Sequence, residues 1–156
     1  MKNSILRSFL TLFFVMLFFS TSSIALAGPW QGWRGSGGWG MKGKYQRNYD
    51  PATVETRIGE VTSVEQITPV KGMYYGIHCI LKTSNETISI HLGPSWYIER
   101  LDTQILPGDN IEVTGSRVTI QGQPAIIAAR IKKGEEQLTL RNDDGIPAWS
   151  GRSSAN

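Results

Sequence analysis

Both histidines of the chain, His78 and His91, and its single cysteine, Cys79, fall within GIHCILKTSNETISIHLGP, residues 76–94. Imidazole nitrogens and thiolate sulfurs are the common ligands of zinc and copper, and imidazole is the side chain that titrates near neutral pH. Three such groups this close together describe either a small metal or anion site or two ordinary strands. The direction in which each side chain points decides between them.

Ile77, Cys79 and Leu81 alternate with polar positions on the first run, and Ile88, Ile90 and Leu92 do so on the second. Pairing 77 with 92, 79 with 90 and 81 with 88 places all six on one face of a hairpin closed at Ser84 and Asn85, with Asn supplying the left-handed backbone of a tight turn. His78 then stands opposite His91 on the other face. Directly opposed Cβ atoms are about 4.5–5.5 Å apart, near enough for two imidazoles to share a metal ion or an anion. Cys79 points inward, so three candidate ligands become one imidazole pair and one core thiol. Zinc takes three or four protein ligands. The expectation is therefore no cofactor, with a metal ion on His78 and His91 as the alternative. A one-residue slip would set His91 against Cys79 and turn Ile88 and Ile90 outward.

The elements that position this hairpin can be read on either side of it. Thr53–Ile67 is rich in β-branched residues and carries Gly59 at its middle, which predicts a long strand whose inward set, Val54, Ile58, Val61, Val64 and Ile67, changes phase at a bulge on Gly59. Ser95–Leu101 predicts a short helix with Ser95 as N-cap. Strands follow over 111–120 and 125–131, separated by Gln121-Gly122-Gln123-Pro124, with a last short strand over 137–141. A single sheet of this length must close on itself to bury its apolar face. The fold class expected is all-β: a small OB-like five-stranded barrel with one short helix between strands three and four.

Trp96 and Tyr97 of the helix are further candidates for a contact surface, and with Trp149 they either flank a groove or plug the barrel ends. No Ser–His–Asp spacing, phosphate-cradling glycine loop, CxxC or CxxCH is present, and Asp143-Asp144-Gly145 reads as a turn rather than a calcium loop.

The N-terminus has the three-part layout of a secretory signal peptide over residues 1–27: Lys2 and Arg7, an apolar run over 9–19, and a small-residue end at Ala25-Leu26-Ala27. Cleavage after Ala27 places the protein in the periplasm or outside the cell. An uncleaved anchor over Ile5–Leu26 is the alternative. A lone cysteine closes no intrachain disulfide, so the core alone must hold the domain.

Residues 28–49 contain seven glycines and three tryptophans but no Val, Ile or Leu, and read as a disordered tail. Its side chains Trp30, Trp33, Arg34 and Trp39 suit a membrane surface or a glycan. The domain proper is expected over 50–142, with a C-terminal tail over 143–156. The chain's net charge of +3 is uneven: residues 28–49 carry four basic residues and no acid, whereas 50–156 carry ten basic and thirteen acidic residues. An acidic domain argues against nucleic acid as partner, since that affinity rests on phosphate neutralisation. A nucleic-acid or polyanion binder acting through the tail stays as an alternative.

The run from YDPATVET (49–56) through GEVTSVEQITP, GMYYGIH and ISIHLGPSWYIE to GDNIEVTGSRVTIQGQPAIIAARIKKGEEQLTLRNDDGIPAWSG (108–151) resembles small secreted bacterial OB-like proteins related to the periplasmic domain of the magnetosome proteins MamS and MamX. HLGP and GDNIEVTGSRV are its most specific parts. The resemblance implies an exported, non-enzymatic binding or scaffold module that meets a periplasmic protein or envelope component in a metal- or redox-related process. MamX-type proteins also carry haem-attachment CxxCH motifs. This chain has none, so electron transfer is not implied.

Overall fold

The structure is a computed structural model and describes residues 36–150. The expected signal peptide, the first part of the expected tail, with Trp30, Trp33 and Arg34, and the last six residues lie outside them. Six strands form one sheet: β1 (Val54–Ile67), β2 (Gly76–Lys82), β3 (Thr87–Pro94), β4 (Asn110–Ile120), β5 (Gln123–Lys133) and β6 (Glu136–Thr139), with a one-turn helix α1 (Ser95–Ile98) between β3 and β4. The order is β3-β2-β1-β4-β5-β6, and a parallel pairing of β3 with β5 joins the sheet into a closed ring of five strands. β6 pairs with the far end of β5 and lies outside the ring.

β1 is long because it serves two partners in turn. Val54–Glu60 pairs with β4, Glu60–Ile67 pairs with β2, and the strand bends between them. Gly59 stands at that bend, where a Cβ would lie 2.3 Å from the carbonyl oxygen of Lys82. Only glycine allows the two backbones to approach so closely. The bulge expected at Gly59 falls instead between Val61 and Ser63. Val54 and Ile58, expected inward, are 38% and 65% exposed, and Val61 is the residue of β1 that enters the core.

The β2–β3 register is as expected from His78↔His91 through Lys82↔Thr87. It slips at the other end, where Ile77 faces Gly93 rather than Leu92. The turn also differs. Thr83 closes a four-residue loop by accepting from the amides of Asn85 and Glu86 on its hydroxyl, so Asn85 needs no left-handed conformation. The left-handed pair lies at Gln121 and Gly122, with φ of 51° and 77°, as the two-residue turn between β4 and β5 requires. Ser95 makes no side-chain cap, and Pro94 occupies the N-cap position of α1.

Inside the ring, Cys79, Leu81, Ile88, Ile90, Ile111, Val113 and Ile131 form the core. Every residue of β5 from Ala125 to Ala129 is buried, as is every residue of β3 from Ile90 to Pro94. Strands buried on both faces need a second layer, and the two flanks of the chain supply it. Trp39, Tyr45 and Tyr49 from one flank and Arg141 and Trp149 from the other are 9% exposed or less, with Tyr45 stacked on His91 of β3 and Arg141 donating to carbonyls of β3 and β5. Trp149 Nε1 donates to the carbonyl of Trp39 across 110 positions of sequence, and Gln46 donates to the carbonyl of Gly145. Residues 36–49 and 143–150, expected as tails, therefore belong to the packed domain. Local glycine content hid this, because the aromatic side chains of each flank find their partners on the other.

Candidate functional site

Three strands bring the candidate side chains into one row. Glu65 on β1 faces His78 on β2, and His78 faces His91 on β3. The imidazole centroids are 5.9 Å apart with the rings at 87°. His78 Nδ1 lies 2.7 Å from the Ser89 hydroxyl, and its Nε2 is 3.9 Å from a carboxylate oxygen of Glu65. Expectation and structure agree on the pair and differ on its setting. His91, expected on the open outer face, is 2% exposed.

The cover over His91 is Tyr45. Its ring stacks on the imidazole at 5.9 Å and 11°, and its hydroxyl is 3.1 Å from Nδ1. Burial lowers the pKa of His91 to about 4, and the neighbouring His78 and Arg141 push the same way. Burial also lowers that of His78, against the opposing pull of Glu65. Both rings are thus held neutral at pH 7, one nitrogen of each engaged by a hydroxyl. Burial pushes the Cys79 thiol up to about 12, so it is a core side chain and not a nucleophile.

Arg141 has no local sequence signal and is a charged side chain only 1% exposed. Its guanidinium donates to the carbonyls of Leu92 and Ala128 and lies 4.8 Å from the Trp149 ring centroid. Those carbonyls stand where the β2–β3 and β4–β5 ladders slip register. Bulges free backbone acceptors, and Arg141 supplies donors to both. Among the described residues its Nε and Nη2 have no hydrogen-bond partner.

Trp96 and Tyr97 are half-buried on α1 and do not meet the histidines. A relay of ring contacts joins them instead: Trp96 to Tyr97 at 6.3 Å, Tyr97 to Trp149 at 5.3 Å, Trp149 to Trp39 at 6.4 Å and Trp39 to Tyr45 at 4.8 Å. Trp149 packs against Gly93, where an added Cβ would lie 2.7 Å from its ring. Trp39, expected as an exposed contact of the tail, is 1% exposed and donates its Nε1 to the Tyr74 carbonyl.

Tyr45, Glu65, Ser89 and Arg141 complete the surroundings of the pair and were not singled out by sequence. Glu65 becomes visible only when the β1–β2 register is known, and that register depends on the bulge after Val61. Among the described residues no group of three or more His, Cys, Asp or Glu side chains is arranged to hold a metal ion, and no helix is long and apolar enough to cross a membrane.

Fold and site define an all-β domain with a closed ring of strands, an imidazole pair on β2 and β3, and a flank folded over one of the two. The model of the MamS/MamX magnetosome protein family matches residues 53–138, more than half of the chain. The chain belongs to that family. No curated protein matches it. The family region starts at the last residue of the Pro51–Thr53 turn and ends within β6, so Tyr45, Arg141 and Trp149 all lie beyond it.

Proposed function

We propose that the protein is a non-enzymatic binding or scaffold module, exported to the periplasm, that meets a protein or envelope component through the outer face of β1, β2 and β3. The observation that carries this is the row Glu65, His78, His91. His91 is fixed beneath Tyr45, while His78 remains partly open beside Ser89 and an exposed Glu65. An anchored, neutral imidazole beside a carboxylate and a hydroxyl offers both donors and acceptors at fixed positions, which suits recognition of a polar partner.

The ring order β1-β2-β3-β5-β4, with a helix between β3 and β4, supports an OB architecture, in which the β2–β3 face is the common ligand side. The three-part N-terminus supports export, and membership of the MamS/MamX family supports an envelope process linked to metal or redox chemistry.

Site-specific photo-crosslinking in cells tests this. A crosslinker at Ser89 or Glu65 is expected to capture one defined partner, the yield falling with His78→Ala. A crosslinker at Gln137 on β6 should not capture it. Equal capture from all three positions, or none from any, would sink the proposal.

The imidazole pair carries a second reading, metal handling by His78 and His91. It requires Tyr45 to release Nδ1 of His91. Zinc or copper should then raise the melting temperature of the protein but not of His78→Ala. Identical melting with and without metal removes it.

A further inference from the structure

We propose that the loop between β1 and β2, together with the turn at residues 36–43 beneath it, is a docking surface for an anionic phospholipid membrane. Tyr74 and Tyr75 are neighbours in this loop and are 63% and 61% exposed. One side of the Tyr74 ring lies against Gly37, where an added Cβ would be 2.3 Å away, and the backbone that carries both rings is held firmly. Tyr74 N donates to the Gly37 carbonyl at 2.9 Å, Trp39 Nε1 donates to the Tyr74 carbonyl at 2.9 Å, and Ser95 N donates to the Tyr75 carbonyl at 3.1 Å. Gln121 ties down the start of the loop through the carbonyls of Thr68 and Pro69. Two aromatic rings displayed on a pinned loop lose little conformational freedom on binding, and tyrosine is suited to a headgroup interface.

Charge selects the partner. Lys71 lies in the same loop and Lys42 in the turn below it, both exposed, and among the described residues neither forms an ion pair. Neither residues 28–49 nor residues 68–75 contain an acid, whereas residues 50–156 as a whole carry three more acids than bases. The contact therefore has a basic pole on a mildly acidic domain. Each lysine or arginine near an anionic surface strengthens binding by about fivefold. This inference rests on the fold and charge of the domain, not on the β1–β3 contact proposed above.

Co-sedimentation of residues 28–156 with vesicles tests it, using phosphatidylcholine with and without phosphatidylglycerol. Binding is expected only to the mixed vesicles, weakening as salt is raised. Tyr74→Ser with Tyr75→Ser should weaken it at least tenfold, and Lys42→Gln with Lys71→Gln by a similar factor. All four side chains are exposed at these sites, so melting temperatures should not change, which guards against misfolding as the cause. Equal binding to neutral vesicles, full binding by the tyrosine variant, or binding abolished by Trp30→Ser with Trp33→Ser alone would each overturn the proposal. So would retention on a neutral polysaccharide without retention on vesicles.

Discussion

The hydroxyl of Tyr45 lies 3.1 Å from Nδ1 of His91, with the two rings stacked 11° from parallel. Tyr45 precedes the region shared with the MamS/MamX family, and His91 sits within it on β3. This chain thus uses its own flank to cover an imidazole of the family domain. In the neutral tautomer that carries its proton on Nε2, the phenol donates and Nδ1 accepts.

Tyr45→Phe keeps the stacking and removes the donor. A buried ring nitrogen left without its partner costs about 2 kcal/mol, so urea unfolding should show a loss of that size with an unchanged slope. No loss would mean that water already satisfies Nδ1.

Acid should destabilise the domain through His91. Its pKa falls from 6.5 in the unfolded chain to about 4 in the fold, so below pH 6.5 the unfolded state binds a proton that the folded state refuses. Stability is then complete above pH 6.5, declines as pH falls towards 4, and levels off below that. The full loss is about 3 kcal/mol. His78 is lowered as well and adds in the same direction. The slope of stability against pH in this window should be shallower in His91→Gln; an unchanged slope would exclude His91 as its source.

Cys79 is fully buried, and burial pushes its thiol up to about 12. A thiol reagent at mildly alkaline pH should leave it unmodified until urea unfolds the domain, with labelling and unfolding midpoints coinciding. Rapid labelling of the folded protein would place the thiol outside the ring.

Gly59→Ala forces a methyl group to within 2.3 Å of the Lys82 carbonyl oxygen. The bend of β1 must open to admit it, at a loss of about 2 kcal/mol. A neutral effect, read from chemical denaturation, would mean that the bend is not tightly closed.

The hairpin was legible in sequence because strand side chains alternate strictly and two aliphatic sets fit only one register. Cys79, Ile90 and Leu81 fall where that alternation puts them, and His78 meets His91 as a consequence. The slips at Leu92 and after Val61 were not legible, because bulges answer to the curvature of the closed ring rather than to local pattern. The burial of Trp39, Tyr45 and Arg141 escaped for a related reason. Their partners are Trp149, His91 and two β-strand carbonyls, far away in sequence, and a glycine-rich flank has no periodicity to betray a packed face.

Histidine NMR through a pH titration of residues 28–156 tests most directly whether the flank closes over one imidazole and leaves the other partly open. The two ring signals should titrate separately, His78 somewhat below 6.5 and His91 not until about 4, with His91 moving upward in Tyr45→Ala. Two rings titrating together near 6.5, unaffected by Tyr45→Ala, would contradict it.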